Sequence, residues 1–310
     1  MKKNKGIWEY ENLYTPKIPK EYQISLNEGN TELIRLKNIE IDTGIENVFA
    51  KREDKNPTGS AKDRSIAYYF SYLKYKGIKE VIIPSSGNTA ISAANYSKLS
   101  GIKVYLYLSS KLEEKKDERL ELAIKNNKKN ISVIKTLRPL SDAIKFSKEN
   151  NIEIFRGSNT KYAEQGYKSI GEELYNLRAD ALFIPVSSGT TLYGISKRIN
   201  KNCKIHLVQT SKINTISHLF DNNFKSEDET LAKAIVARVT NRKKDVEKII
   251  NKTRGWGWTI ENKEIDKYQR LLRKSGVYTS YEGALALAGL YKALENGYLF
   301  KKVVILFTGV

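Results

Sequence analysis

The stretch Asn56-Pro57-Thr58-Gly59-Ser60-Ala61-Lys62-Asp63-Arg64 sets a lysine just past a Pro/Gly turn, where a helical run begins. That position suits an amine nucleophile that attacks an aldehyde. To react, such an amine must shed its proton, and the reference pKa of lysine is about 10.4. Holding it neutral near pH 7 costs about 4 kcal/mol, drawn from desolvation and from a neighbouring cation such as Arg64. The same nine residues also describe an ordinary turn and helix start with a solvated lysine. Three further stretches carry chemistry. Pro84-Ser85-Ser86-Gly87-Asn88-Thr89 follows an apolar run and opens a helix. Its N–H groups, its hydroxyls and the positive end of the helix suit a carboxylate, or simply cap the helix. Pro185-Val186-Ser187-Ser188-Gly189-Thr190-Thr191-Leu192-Tyr193-Gly194 sits in the same kind of place. Its small residues let the backbone close around a phosphate, and its hydroxyls add donors. Val303-Val304-Ile305-Leu306-Phe307-Thr308-Gly309 reads as a buried strand that ends on a hydroxyl.

The elements that position these stretches are legible in the hydrophobic pattern. Short apolar runs at 80–84, 103–108, 132–136, 152–155, 181–186, 204–208 and 303–307 read as buried strands. Helical periods fall at 63–76, 89–100, 113–127, 140–149, 164–177, 191–199, 228–237, 243–253, 264–275 and 281–295. Strands alternating with helices imply βα units and a mostly parallel sheet. With no linker in view, the expectation is an α/β protein of two interleaved lobes, each a mostly parallel twisted sheet flanked by helices. Ligands of such sheets bind at the carboxyl ends of strands. Residues 1–52 and 155–310 are expected to form the larger lobe and 53–154 a smaller, mobile one.

Composition narrows the function. The single cysteine, Cys203, rules out an internal disulfide and any multi-cysteine metal site, and two histidines, His206 and His218, leave little for a metal centre or a histidine base. The net charge of +19 comes mainly from lysines spread among glutamates, as in Lys111-Leu112-Glu113-Glu114-Lys115-Lys116-Asp117-Glu118-Arg119, a pattern of solvated helix faces. A nucleic-acid binder would concentrate that charge on one face with stacking aromatics. The basic start lacks an apolar signal core and no run is long enough to span a bilayer, so the expected location is the cytoplasm, with no membrane and no nucleic acid as partner. No Gly-x4-Gly-Lys-Ser/Thr loop is present, and Gly255-Trp256-Gly257-Trp258 lacks the third glycine of a dinucleotide fingerprint, so its tryptophans are expected to pack in the core or against a lobe.

The lysine stretch resembles the cofactor-lysine motif of pyridoxal-phosphate enzymes of the tryptophan-synthase-β fold type (fold type II), and among them threonine synthases most. The resemblance implies pyridoxal 5'-phosphate as cofactor, bound covalently by Lys62, which also serves as catalytic base. It implies that Asn88 lies against the cofactor ring, that Ser187, Ser188, Gly189, Thr190 and Thr191 form its phosphate cup, and that Thr308 bonds the pyridine nitrogen. Ser85, Ser86 and Thr89 hold the substrate by the same resemblance. It extends along nearly the whole chain, through Glu28-Gly29-Asn30-Thr31, Gln165-Gly166-Tyr167-Lys168-Ser169, Leu231-Ala232-Lys233-Ala234-Ile235 and Tyr281-Glu282-Gly283-Ala284-Leu285. A homodimer follows from the family's habit.

Three positions depart from threonine synthases. Ala163 stands where an arginine grips the substrate phosphate, Ser188 stands for an asparagine in the cup, and Ser280 stands for a glutamate. A methyl group cannot replace an arginine fork on a phosphate. Ser158 and Lys161 are the candidates to rebuild an anion site for a small anionic amino-acid substrate. The expected activity is therefore a threonine synthase-like lyase reaction, O-phosphohomoserine plus water giving threonine plus phosphate. The alternatives are a serine/threonine dehydratase, a cysteine synthase-type β-replacement enzyme, and a non-catalytic protein that binds anions on the same fold.

Overall fold

The computed structural model describes residues 6–85, 87–110 and 118–310. In chain order the strands and helices are β1 (Leu33–Arg35), α1 (Lys37–Thr43), β2 (Asn47–Arg52), α2 (Lys62–Tyr75), β3 (Glu80–Ile83), α3 (Asn88–Ser100), β4 (Lys103–Ser109), α4 (Glu118–Lys125), β5 (Ile131–Thr136), α5 (Pro139–Asn150), β6 (Glu153–Ile154), α6 (Lys168–Tyr175), β7 (Ala181–Pro185), α7 (Thr190–Ser196), β8 (Lys204–Thr210), α8 (Lys243–Thr253), β9 (Gly257–Ile260), α9 (Asn262–Lys274), α10 (Tyr281–Glu295) and β10 (Lys302–Phe307). They form two compact units, one made of the chain up to Gly29 with Asn56–Gly166, the other of Asn30–Lys55 with Tyr167–Val310.

The first unit holds a four-stranded sheet in the order β5-β4-β3-β6, with every pairing parallel. Its boundaries differ from those expected, because the N-terminal stretch packs here. Trp8 stacks on Tyr68 at 6.1 Å, Tyr14 meets Tyr68 edge-on at 5.2 Å, and Ile7, Ile18 and Ile24 are buried in the same core. Tyr68 Oη donates to Pro16 O at 2.7 Å and Trp8 Nε1 donates to Ile24 O at 2.8 Å. Burying one such large side chain contributes about 1.5–3 kcal/mol, against about 1 kcal/mol net for a hydrogen bond, so the rings decide where this segment lies. Phe155 and Ala163 join that core, which carries the unit past the expected limit at 154.

The second unit holds a six-stranded sheet in the order β1-β2-β10-β7-β8-β9, parallel except for the β1–β2 pair. β1, α1, β2 and β9 were not expected from the pattern. Charge hides β2: Lys51 pairs with Glu173 at 2.6 Å and Arg52 with Asp54 at 2.6 Å, all four carboxylate and cationic side chains being nearly buried. The helix expected over 228–237 is irregular chain instead. Its N–H groups are claimed by side chains from elsewhere: Leu231 N donates to Asn262 Oδ1 at 2.9 Å, Ala234 N to Glu282 Oε1 at 2.8 Å, and Val236 N and Ala237 N to Ser187 Oγ at 3.1 and 3.2 Å. Trp258 is buried in β9, whereas Trp256 is 37% exposed. No helix among the described residues is long and apolar enough to cross a membrane.

His206 of β8 lies wholly inside this second core, parallel to the Phe183 ring at 4.5 Å. Trp258 Nε1 donates to its Nδ1 at 3.1 Å, so the ring hydrogen belongs on Nε2, which has no partner among the described residues. Burial, with Lys204 adding to it, pushes the imidazole down to about 3. The unfolded chain therefore binds a proton that the native state refuses at pH values between about 6.5 and 3, and stability falls as pH falls through that window. From pH 6 to pH 4.5 this one group removes about 2 kcal/mol. A His206→Phe variant, which keeps the stack, is expected to lose that much less than the parent in urea unfolding over the same range. Equal losses in both proteins would refute the assignment.

Candidate active site

In the first unit the lysine stretch is fixed by its neighbours before any ligand arrives. Gly59 N donates to Asn56 O at 2.8 Å, closing the turn, and Gly29 N donates to Asn56 Oδ1 at 2.9 Å. Asp63 is fully buried and takes both the Thr58 N–H at 2.7 Å and the Thr58 hydroxyl at 2.5 Å. A carboxylate in the first turn of α2 complements the helix dipole and makes charge-assisted bonds, so Asp63 clasps the turn that presents Lys62. Lys62 is the first residue of α2 and half-buried, and its N–H reaches Ser60 Oγ at 3.3 Å. Arg64, the expected neighbouring cation, is fully buried, with Nη1 3.1 Å from the point a Gly29 Cβ would occupy.

The loop after β3 leads straight into α3, and α2 packs on α3. Gly87 is the N-cap of α3 and no side chain caps that helix. Ser85 Oγ accepts from Gly87 N at 3.3 Å, and Asn88 and Thr89 are half-buried in the first turn. Among the described residues no side chain bonds the first N–H groups of this 13-residue helix, while Ala90 N and Ile91 N donate to Gly87 O at 2.8 and 3.2 Å. Ser86 lies outside the described residues.

The first residue of the Glu28-Gly29-Asn30-Thr31 stretch is a fully buried carboxylate. Glu28 Oε2 accepts from Tyr96 Oη at 2.6 Å, Leu26 N at 2.9 Å and Ser25 Oγ at 3.0 Å. Burial pushes its carboxyl up, against the opposite pull of the Tyr96 bond. Ala163 is also fully buried in this core, and its carbonyl accepts from Ser65 Oγ at 2.5 Å. Packing thus surrounds the position at which the family's arginine was looked for. Of the two replacements considered, Ser158 is half-buried with its hydroxyl turned to Asn159 Oδ1 at 3.1 Å, and Lys161 is exposed with Nζ 4.8 Å from the centre of the Tyr162 ring.

In the second unit the Ser187–Thr191 loop leaves the carboxyl end of β7 and enters α7. Gly189 has φ of +84°, and a Cβ there would meet Val246 Cγ2 at 2.7 Å, so both backbone and space demand glycine. Ser187 Oγ already accepts two N–H groups of the irregular segment, Ser188 Oγ and Thr190 Oγ1 are 3.1 Å apart, and Thr191 is half-buried. Thr308 follows β10, the strand next to β7, so the loop and Thr308 share one carboxyl edge of the sheet. At that edge Ser280 N reaches Gly309 O at 3.4 Å, and Arg52 Nη2 donates to Tyr278 O at 3.0 Å. The hydroxyls of Thr279 and Ser280 are buried without a partner among the described residues. Buried polar atoms left unpaired in a native fold call for a ligand or a bound water.

The lysine and the carboxylate loop are thus assembled within one unit, the phosphate-type loop and the terminal hydroxyl within the other. A family model described as pyridoxal-phosphate dependent enzyme matches residues 24–309. The threonine synthase of Methanocaldococcus jannaschii is 29% identical over 332 aligned residues, covering 99% of this chain and 80% of that protein. The threonine synthase of a Bacillus species is 28% identical, covering 98% of this chain and 89% of that one. In fold, the chain is similar to threonine deaminase isoform 2 of Solanum lycopersicum, with a TM-score of 0.76 at 20% identity over 98% of this chain and 84% of that chain. Maize serine racemase is similar as well, with a TM-score of 0.75 at 18% identity over 98% and 93%.

Proposed function

Since the chain belongs to the pyridoxal-phosphate-dependent enzymes, we propose that it converts O-phosphohomoserine and water into threonine and phosphate. What carries this reading is the similarity to threonine synthases along 98–99% of the chain. The residues present fit the cofactor: the Ser188 and Thr190 hydroxyls stand together at the start of α7 beside a left-handed Gly189, and the Ser280 hydroxyl, buried without a partner among the described residues, belongs to the residue whose N–H meets Gly309 O. Bound, pyridoxal phosphate supplies an electron sink for the substrate's α carbon. In this reading Lys62 carries the cofactor's aldehyde end, Asn88 its ring, Ser187 through Thr191 its phosphate and Thr308 its ring nitrogen.

Each residue then has a defined task. Ser85, Ser86 and Thr89, with the uncapped first turn of α3, hold the substrate carboxylate. Asp63 keeps the α2 start in place, and the Lys62 amine would move protons at the substrate's α and β carbons. Water adds at the β carbon as phosphate leaves the γ carbon. A hydroxyl at Thr308 leaves the ring nitrogen unprotonated, which makes the cofactor a weaker sink than a carboxylate partner would. Ser158 and Lys161 complete the proposal as the groups that meet the substrate's anionic end. A homodimer in the cytoplasm belongs to the same proposal.

One observation favours a second reading. Ala163 is packed at 0% exposure, so the family's phosphate-gripping arginine has no counterpart there. An eliminase or β-replacement enzyme acting on serine, threonine or an activated serine needs no such grip. Supplying O-phosphohomoserine and measuring threonine and phosphate decides between them. Threonine and phosphate in equal amounts are expected, and no threonine from that substrate would sink the first reading in favour of the second.

A further inference from the structure

A cation that no motif marks lies along the Ser187–Thr191 loop. Thr240 Oγ1 donates to Ser188 O at 2.6 Å and accepts from Arg242 N at 3.1 Å, which ties the Arg242 backbone to the loop through one side chain. The Arg242 Cβ is 3.7 Å from the point a Gly189 Cβ would fill, and its guanidinium carbon is 4.2 Å from the centre of the Tyr193 ring. The side chain therefore spans the first turn of α7, from Gly189 to Tyr193. Lys197 Nζ lies 4.1 Å from the centre of the same ring. Next along the chain, Lys243 Nζ is 3.2 Å from His218 Nε2, while His218 Nδ1 is 2.7 Å from Asn214 O. A carbonyl only accepts, so Nδ1 carries the hydrogen and Nε2 is the acceptor that Lys243 meets.

The loop's hydroxyls are partly engaged by their neighbours. Ser187 Oγ is engaged by two backbone N–H groups, and the Ser188 and Thr190 hydroxyls spend one proton on each other. A guanidinium brings permanent charge and several N–H donors in a fixed fork, the combination that suits phosphate. We propose that Arg242 is a binding residue for the phosphate group of the cofactor, offsetting the hydroxyls and missing glycines of the loop. The inference rests on reading Ser187–Thr191 as the phosphate cup.

Absorbance titration of the cofactor-free protein with pyridoxal phosphate and with pyridoxal, which lacks the phosphate, tests it. Arg242→Gln and Arg242→Met, the second keeping an apolar stem over Tyr193, are expected to bind pyridoxal phosphate about 10–100-fold more weakly, as for a lost charge-assisted bond. Pyridoxal affinity should change by less than about twofold, since no phosphate contact is involved. The phosphorus resonance of the bound cofactor should titrate at higher pH in both variants than in the parent, because a cation holds the dianion. Thr190→Val, run alongside, reports on the cup. Selective loss of pyridoxal phosphate in Thr190→Val without such loss in either Arg242 variant leaves the cup standing and overturns the role of Arg242. Unchanged binding in all three removes the cup reading and the proposal with it. Equal loss of both ligands in both Arg242 variants assigns Arg242 to packing alone, and also overturns it.

Discussion

Lys62→Ala is expected to yield a folded protein that shows no visible absorbance after pyridoxal phosphate is added and dialysed away, and whose turnover falls by about three to four orders of magnitude, as befits loss of a catalytic base. The fold should survive because Lys62 is half-buried at the first position of α2, and alanine is the best helix former. Asp63, Thr58, Gly59 and Asn56 make bonds that close the turn. Absorbance spectra of parent and variant, with thermal melts of both, check the prediction. A coloured variant would place the covalent link elsewhere. A parent that takes up no cofactor at all would favour the non-catalytic anion binder over either enzyme reading.

The second large effect is structural and arises two residues further along. A Cβ on Gly166 would stand 1.9 Å from the Arg64 carbonyl oxygen and 2.4 Å from its carbonyl carbon. Both are backbone atoms of the first turn of α2, and the turn is also held by Ser65 Oγ on Ala163 O. No rotamer relieves such a clash. Gly166→Ala is expected to cost about 3 kcal/mol or more, and to lower Tm by about 5 °C or more. Gly44→Ala is the matched control: its φ is +72° but nothing lies within 4 Å, so it should cost only the left-handed strain of about 1–2 kcal/mol. A Gly166→Ala protein as stable as Gly44→Ala would show that the two segments do not press together as described. Because the clash falls on the turn that carries Lys62, cofactor binding should weaken in whatever fraction still folds.

Much of this fold was legible before the structure, and the exceptions share a cause. β7 is an apolar run buried on both faces, β3 and β10 are so after their first residue, β4 is apolar along most of its length, and α2, α3 and α10 have long periods that end in turn residues. β2 escaped notice because its cations look like surface residues until Glu173 and Asp54 are brought to them. β9 is four residues long and opens at Gly257, in a stretch read only for its tryptophans. Lys62 at the start of α2, the start of α3 and the left-handed Gly189 stand where local turn chemistry puts them. The Glu28–Tyr96 bond and the tie of the Arg242 region to Ser188 join residues distant in sequence, and no spacing rule foretells them, whereas the Asp63–Thr58 clasp spans only five residues. For Arg242 the obstacle was stronger, since residues just before it had the periodicity of a helix.

That irregular segment has a consequence for how the chain is free to change. A helix satisfies its own N–H groups, so its path is encoded where it runs. Between residues 231 and 237 the path is instead dictated by Asn262, Glu282 and Ser187, each an acceptor on another element. Drift within the segment itself is cheap wherever a side chain points to solvent, as Val236 does at 67% exposure. Drift at any of the three acceptors redirects all of it. The path of residues 231–237 is therefore set in good part by acceptors outside the segment, so substitutions at Asn262, Glu282 and Ser187 act on the same stretch of chain.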